Sequence, residues 1–267
     1  VSPYTIKNNG DLRAKERLVL TIINYMNDYK EEDFLRSHVY EKCALMLLIY
    51  YLYEPNKDRL DYVINYIKLF QFPEEDLEII KNDYKIIIDK IKKGKAEEIS
   101  EGDTNYLGAC TKGANANSLR EQPFSDKKAM QRAFCLKNSY MSYILNHYIV
   151  NKTEKYESVI KDAKILKEQT LEQYIISKLQ PYYNQDIEFL KHKFNIPYQA
   201  SNKSFTYLLA KGMLEVVNEK IEEFEKANIK IKAIRLRPDG MPKESMSFPT
   251  FKYTEIVKED WLDSELY

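Results

Sequence analysis

Cysteine, a charge of one sign and long hydrophobic runs are all in short supply here, and each shortage excludes a class of protein. The three cysteines, Cys43, Cys110 and Cys135, are odd in number and widely spaced. They indicate neither a disulfide framework nor a zinc site, and they fit a reducing cytoplasm. The longest apolar run, residues 44–53, is about half of the ~20 residues that a membrane span needs. No signal peptide is apparent, so we expect a soluble, cytoplasmic protein without a membrane partner.

Net charge is zero, because 41 basic residues balance 41 acidic ones. Most nucleic-acid-binding proteins are basic, so the overall charge does not favour that class. The charge is nevertheless uneven along the chain. Residues 105–150 hold six Lys and Arg against two Asp and Glu, which leaves a local charge of +4. The segment 105–150 is therefore the candidate region for contact with a polyanion.

The hydrophobic pattern predicts a mixed α/β fold. Two strands around a turn are expected in residues 1–24, the second of them buried at 17–23, and further strands at 44–53, 62–72 and 105–112. Helices are expected to begin at Ser37 and to cover 73–93, 137–150 and most of 170–228. Two last strands are predicted at 229–236 and 248–256. We expect a core in residues 1–150, a helical subdomain at 151–228 that follows a polar linker (151–167), and a returning β segment at 229–267.

Residues 112–116, Lys-Gly-Ala-Asn-Ala, are the first segment whose composition suits a ligand. Glycine and small residues after a strand let the backbone approach a phosphate closely, a lysine supplies charge, and an asparagine can read a base edge. The spacing does not match a P-loop. By itself the pattern fits a tight surface turn with a solvated lysine equally well.

Several segments together resemble the MutH-type GATC endonucleases, a family that includes a mismatch-repair nickase and type II restriction enzymes. In that family a basic, glycine-marked helix end precedes a Tyr-Leu strand, a Lys-small-Ala-Asn-Ala loop, and an aromatic segment that opens a helix with Leu-Lys. The matching segments here are 92–94, 106–107, 112–116 and 134–138. Segments at 14–25 and 243–267 match only the restriction-enzyme branch.

The resemblance implies a restriction-endonuclease-like core whose loop reads GATC in the major groove of duplex DNA. Lys112 is then the predicted base or phosphate contact. Lys137 is a predicted phosphate contact, and Cys110 and Cys135 replace two larger side chains of the repair enzyme, so methylation sensitivity stays open. The other residues of the predicted DNA-binding set are Thr111, Gly113, Asn115 and Arg120.

The segment Ser37-His38-Val39-Tyr40-Glu41-Lys42 matches a second family pattern, whose lysine lies beside the metal site. The resemblance therefore implies that Lys42 is catalytic. A lysine on a helix is more often solvated, and His38 is more readily a surface or capping residue than a ligand.

The family's Mg²⁺ ligands, an Asp and a Glu-x-Lys, have no counterpart in this sequence. In the family the Glu-x-Lys strand runs directly into a Thr/Ser-Pro pair, which is Ser2-Pro3 here. Asp83-Tyr84-Lys85 is not a replacement, because we expect it on the exposed face of a helix. We therefore expect a fragment of a longer Mg²⁺-dependent endonuclease, itself inactive, with the missing halves of the parent protein as partners.

Two other functions stay open from the sequence. The chain could be a non-catalytic, sequence-specific DNA-binding or regulatory domain. The zero net charge also keeps open a helical protein–protein scaffold with no role on DNA.

Overall fold

The computed structural model describes residues 2–7, 10–113, 117–152, 155–197, 205–218, 220–246 and 250–257. The strands are β1 Ser2–Ile6, β2 Leu12–Ala14, β3 Leu18–Ile22, β4 Met46–Leu52, β5 Ile64–Phe70, β6 Leu107–Thr111, β7 Leu119–Gln122, β8 Ser125–Met130, β9 Arg132–Leu136, β10 Tyr156–Glu157 and β11 Lys220–Ile221. The α-helices are α1 Tyr25–Asp28, α2 His38–Cys43, α3 Glu74–Lys92, α4 Asn138–Tyr143, α5 Leu171–Leu179, α6 Ile187–Lys193, α7 Phe205–Met213, α8 Glu222–Ala227 and α9 Tyr253–Ile256. A π-helical turn, Ile144–Ile149, continues α4. Within the part of the chain that the structure describes, no helix combines the length and apolarity that crossing a bilayer requires.

Two sheets form the centre of the fold, and the predicted mixed α/β class is confirmed. One sheet has the order β2-β1-β4-β5, and the other has the order β3-β9-β6. In the first sheet β1 runs parallel to β4, while β2 and β5 pair antiparallel with their neighbours. Helix α3 and the helical turn after α4 bury the inner faces, with Ile80, Tyr84, Ile87 and Leu145 at most 1% exposed.

Strands β4 and β5 confirm the sequence prediction, but the outer face of the pair is open. Leu47 lies opposite Leu69 and Ile49 lies opposite Ile67. Leu47, Leu69 and Ile67 are each about 60% exposed, so the described residues leave this apolar face uncovered. Strand β3 also forms as predicted, although its residues are half-buried and not buried as expected.

Helix α3 begins and ends where the sequence predicts. Pro73 precedes it, three acidic residues occupy its first turn, and Lys90 and Lys92 lie in its last turn, so the charges complement the helix dipole. Gly94 ends the helix with φ +65°, a conformation that favours glycine. A Cβ at Gly94 would also lie 2.6 Å from the carbonyl oxygen of Phe124, so only glycine fits under the β7–β8 hairpin.

Asp83 is buried in the interior, and the expectation that it lies on the exposed face of α3 is wrong. Its carboxylate accepts backbone N–H bonds from Asn105 at 2.8 Å, Tyr106 at 2.7 Å and Leu107 at 2.9 Å. Burial raises the pKa of this carboxyl to about 6, although the three bonds oppose the shift. The helical spacing of α3 places Asp83 toward the core, where it fixes the start of β6.

Residues 155–167 are not a polar linker, because Val159, Ile160 and Leu166 are buried. The Glu223 carboxylate on α8 accepts the backbone N–H of Val159 at 3.0 Å and that of Ile160 at 3.2 Å. Apolar residues of α5 and α8 share one hydrophobic core with those of α3 and α4. The predicted boundary at 150/151 stays a prediction, but α5 and α8 pack on the core, while α6 and α7 bury apolar residues in a separate, smaller cluster.

Lys226 of α8 makes the deepest polar contact between the two parts of the chain. Its ammonium lies 2.6 Å from Asp76 Oδ1 on α3 and 2.7 Å from Glu222 Oε1. Tyr140 donates its hydroxyl to the other Asp76 oxygen at 2.9 Å. Burial lowers the pKa of the Lys226 ammonium, but Asp76, Tyr148 and Glu222 together outweigh it, and the net shift is upward.

The predicted strands at 229–236 and 248–256 are wrong where the structure describes them. Residues 229–246 contain only an isolated antiparallel bridge between Leu236 and Pro242. Tyr253–Ile256 is helical, and residues 247–249 lie outside the described part of the chain. Most side chains from residue 232 to 246 are exposed, so no neighbouring strand or apolar face holds these residues in a sheet.

We predict that Asp83→Ala lowers the free energy of unfolding by about 3 kcal/mol at pH 7, because it leaves buried N–H groups without an acceptor. The folded-state pKa of about 6 lies above that of a free aspartate, ~3.9. The folded protein thus binds the Asp83 proton more tightly than the unfolded chain does. Deprotonation of Asp83 therefore lowers the free energy of unfolding of the wild type as the pH rises from 4 to 6. Urea unfolding at pH 4 and pH 7 measures both effects. Lys85→Ala, exposed on the same helix, is the control; equal stability of both variants would contradict the anchoring role.

We predict that Lys226→Ala costs about 3–5 kcal/mol, because it leaves the Asp76 carboxylate buried without its cation. Thermal unfolding should remain a single transition, since α8 and α3 share one core. The double change Asp76→Leu and Lys226→Met should recover most of the loss, and exposed Lys232→Ala should change nothing. A Lys226→Ala protein that unfolds in two steps would show that the helical part is a separate unit.

Candidate nucleic-acid interface

The recognition loop, defined here as residues 112–118, leaves strand β6 and returns into β7. The backbone N–H of Lys112 donates to the carbonyl of Gln131 at 2.9 Å, and the N–H of Gln131 donates to the carbonyl of Ser118 at 2.8 Å. One residue between β8 and β9 therefore fixes both stems of the loop. The loop projects from a rigid sheet, as a recognition element requires.

The predicted contacts divide between the visible stem and the tip of this loop. Thr111 and Lys112 are exposed and Gly113 is half-buried, so the lysine side chain faces solvent. Within the described residues the Lys112 ammonium has no ion-pair partner. Asn115 falls in residues 114–116, which lie outside the described part of the chain, and its base contact stays a prediction.

Arg132 lies beside the loop and was not among the predicted DNA-binding residues. It is paired with Thr111 across β9 and β6, and its guanidinium donates to the carbonyl of Ala109 at 2.7 Å. Its buried Nε has no partner among the described residues. Its membership of the basic segment 105–150 was the available signal, but only the strand register brings it next to the loop.

The β7–β8 hairpin is a second element that the sequence prediction missed. Phe124, with φ 64°, occupies the turn position that usually takes glycine or asparagine, so the turn lacked its usual signal. Arg120 is exposed on β7 and donates to its neighbour's carbonyl at 3.3 Å. On β8, Lys127 and Lys128 are exposed, and Lys127 pairs with Glu97 at 3.2 Å. The exposed arginine and lysines of the hairpin thus add positive charge beyond the recognition loop.

Lys137 has a different environment from the exposed lysines. Its ammonium donates to the carbonyl of Glu101 at 2.5 Å and also to that of Thr104. Burial lowers its pKa. A Cβ at Gly108 would lie 3.4 Å from the Lys137 side chain, so the glycine gives that side chain room over the strand. The phosphate contact predicted for Lys137 stays a prediction, and two of its donors are already used within the protein.

The two cysteines of the region lie together under Arg17. Cys110 and Cys135 are buried on neighbouring strands, and a hydrogen bond from Cys135 is the main cause that lowers the pKa of Cys110 to about 7. The same interaction raises the pKa of Cys135. Arg17 is bound to Glu101 at 2.6 Å and adds to the lowering at Cys110. The two cysteine side chains pack on the sheet of β3, β9 and β6, next to Thr111, which follows Cys110 in β6.

Lys42 lies on the last turn of α2, at a cavity of about 320 Å³. Ser37 caps the helix by accepting the N–H of Tyr40 at 3.2 Å, as predicted. The cavity is also lined by Ser2, Leu20, Leu47 and Tyr50. Lys42 is exposed, and the described residues give it no ion-pair partner, so its ammonium is available to a ligand. The Nδ1 atom of His38 lies 3.7 Å from Oδ1 of Asp28, and the side chain is partly exposed, as expected for a surface residue.

Strand β3 connects this cavity with the recognition loop. Leu20 lines the cavity, and the N–H of Ile23, just after the strand, donates to the carbonyl of Arg132 at 2.9 Å. Three residues of extended chain span about 10 Å. The cavity beside Lys42 and the base of the loop are therefore linked through one strand, a relation that the sequence did not reveal.

The described residues do not fit a magnesium site. Among them no group of three or more His, Cys, Asp or Glu side chains could hold a metal ion. The buried Asp76 and Asp83 are occupied by protein donors. No catalytic step through Mg²⁺ follows from these residues, and the placement of its ligands outside this chain stays a prediction.

Comparison with known proteins gives two matches. A family model described as the DNA mismatch repair enzyme MutH matches residues 1–83, which include Lys42 but not the recognition loop. The type II restriction enzyme Sau3AI of Staphylococcus aureus is 40% identical over 276 aligned residues, covering 100% of this chain. The chain spans 56% of the length of that relative. The MutH match thus covers strands β1–β5 and the first half of α3, the restriction enzyme aligns with the whole chain, and the chain belongs to the MutH-type family of type II restriction endonucleases.

Proposed function

We propose that this chain carries the DNA-recognition part of a Mg²⁺-dependent endonuclease that cuts duplex DNA at GATC. The observation that carries the proposal is the recognition loop, whose exposed Lys112 projects from stems that are both fixed at Gln131. Stems that are fixed before binding lose little entropy when the loop enters a groove. The 40% identity to a type II restriction enzyme supports the same conclusion.

Lys112 and Thr111 are the residues that read the base edges in this proposal. A lysine ammonium donates to the O6 and N7 of guanine, and a threonine hydroxyl can contact any base. Arg132 is paired with Thr111 on the neighbouring strand, and its side chain either stabilises the loop or contacts the DNA backbone. Arg120 and the lysines of β8 supply phosphate contacts, which position the protein without specifying sequence.

Lys42 is the catalytic residue in this proposal. Leu20, which lines the same cavity as Lys42, lies three residues, or about 10 Å of extended chain, before Ile23 at the base of the recognition loop, and this arrangement suits a phosphate near the base pairs that are read. An ammonium at that position orients the attacking water and offsets the charge that builds on the phosphate. The metal that completes the reaction would have to be held by residues other than the described ones.

A non-catalytic DNA-binding or regulatory domain is the second candidate. The lack of a metal-binding cluster in the described residues favours it, whereas the exposed Lys42 beside a cavity favours the endonuclease. The scaffold alternative receives less support, because the amphipathic helices after residue 170 use their apolar faces within the chain.

We predict that Lys112→Ala weakens binding to a GATC duplex by about 1–3 kcal/mol and weakens binding to a scrambled duplex much less. The reason is that a base contact is lost only where the base is present. Fluorescence anisotropy with labelled duplexes at two salt concentrations measures both affinities. Lys85→Ala, a lysine remote from the loop, is the matched control. An equal loss on both duplexes, with a shallower salt dependence, would make Lys112 a phosphate contact, and no loss would remove the loop from the interface.

We predict that the purified 267-residue chain binds GATC duplexes but does not cleave them when Mg²⁺ is added, since its described residues offer the ion no ligand cluster. Lys42→Ala should leave the affinity within about twofold, because a surface change away from the contacts costs under 0.5 kcal/mol. Gel assays of nicking and anisotropy measure the two properties. Site-specific cleavage would show that the chain holds its own metal ligands, and a large loss of affinity would make Lys42 a binding residue.

A further inference from the structure

A second, larger cavity lies away from the recognition loop, between the β1–β2 hairpin, the start of α4 and the end of α8. Its volume is about 660 Å³, which is within the range of small-molecule sites, ~300–1,000 Å³. Segments far apart in sequence build it, including Arg13, Arg17, Lys137 and Lys230. Two of its residues, Arg17 and Lys137, lie in segments that match the family, but the family motifs described above do not account for Lys7, Arg13 or Lys230.

The side chains that line the cavity carry an excess of positive charge after the residues paired with each other are counted as neutral. Asp11 is neutralised by Lys152 at 2.6 Å, and Glu101 by Arg17 at 2.6 Å. Lys137 donates to two internal carbonyls, and the three other cations, Lys7, Arg13 and Lys230, have no ion-pair partner among the described residues, while Glu225 is the remaining carboxylate of the lining. Three cations facing one carboxylate favour a ligand with more than one negative charge.

The three cations are held at fixed places by the fold. Lys7 and Arg13 flank the turn of the β1–β2 hairpin, whose ends are joined by the N–H of Lys7 and the carbonyl of Asp11 at 2.8 Å. Lys230 follows α8, which the buried pair of Lys226 and Asp76 ties to the core. The Ser139 side chain, which has no hydrogen-bond partner among the described residues, adds a hydroxyl.

We propose that this cavity is a phosphate-binding site, distinct from the recognition loop, that takes a ligand with at least two phosphate groups. Arg13 binds one phosphate through its planar guanidinium, and Lys7 and Lys230 bind the next as point charges. Two sources carry this chemistry: the backbone of DNA that flanks the site being read, and a free nucleotide. The first source rests on the proposed function, and the second does not.

The geometry sets the reach of the DNA source. Arg17 lies at the cavity, and Ile23 lies at the base of the recognition loop. Ile23 lies six positions after Arg17, and the extended chain between them, which includes β3, spans about 20 Å. That length corresponds to about six base-pair steps of duplex. A duplex that ends within three base pairs of GATC would not reach the cavity, whereas one with ten flanking base pairs would.

The first experiment is a calorimetric titration of the chain with inorganic triphosphate at low salt. We expect binding by the wild type, and binding weakened about tenfold by Arg13→Gln and by Lys230→Gln. Lys68→Gln, exposed on β5, should bind as the wild type does. Circular dichroism melting checks that each variant is folded, and Lys7→Gln replaces any variant that is not.

The second experiment measures affinity for GATC duplexes with three or ten flanking base pairs on each side. If flanking DNA is the ligand, the longer duplex binds more tightly, and Arg13→Gln removes that gain and lowers its salt dependence. If the variants weaken triphosphate binding but leave the affinity for both duplexes at the wild-type value, the site serves a free nucleotide. If triphosphate does not bind and no variant alters either duplex, the cavity is not a phosphate site. Loss of GATC preference in Lys112→Ala alone tests the recognition loop and leaves this result unaffected.

Discussion

The carboxylate of Asp83 is the contact on which the arrangement of the candidate interface depends. It accepts the N–H groups of three consecutive residues where the chain enters β6. Because an extended chain that begins at a fixed point also ends at one, this contact sets where Thr111 and Lys112 emerge. The register with β9 then brings Arg132 beside them and places Gln131 where both loop stems can bond to it. A buried charge on α3 therefore positions a surface loop that it does not touch.

Strand β3 is the second element that organises the molecule. Arg17, just before the strand, lines the larger cavity; Leu18, Val19 and Leu20 line the cavity beside Lys42; and Ile23, just after the strand, lies at the base of the recognition loop. Three surfaces that would act on one polyanion are thus ordered along a single short strand. The buried pair of Lys226 and Asp76 completes the frame, because it holds α8 and the following Lys230 against the core. A neutral protein can therefore present concentrated positive charge, because its carboxylates are used in internal bonds and ion pairs.

Much of the local structure could be predicted from the residues. Pro73, the acidic first turn and Gly94 fixed the limits of α3, and Ser37 capped α2 as expected. The errors have physical causes. The β7–β8 turn has Phe124 where glycine is usual; Asp83 was assigned to the wrong face because a charged residue is normally solvated; and residues 229–236 alternate like a strand but form only the isolated bridge from Leu236 to Pro242 among the described residues.

The sequence by itself determined the mixed α/β class, the strand that leads into the recognition loop, and the family resemblance, because these depend on local periodicity and on the order of short motifs. Only the tertiary structure decided that Arg132 lies beside Thr111, that Lys42 lines a cavity together with strand β3, that Lys137 donates to internal carbonyls, and that Lys7, Arg13 and Lys230 meet at one cavity. Such relations depend on strand register and on the burial of Asp83 and Asp76. Those are set by contacts between residues that are distant in sequence, which neither composition nor spacing records.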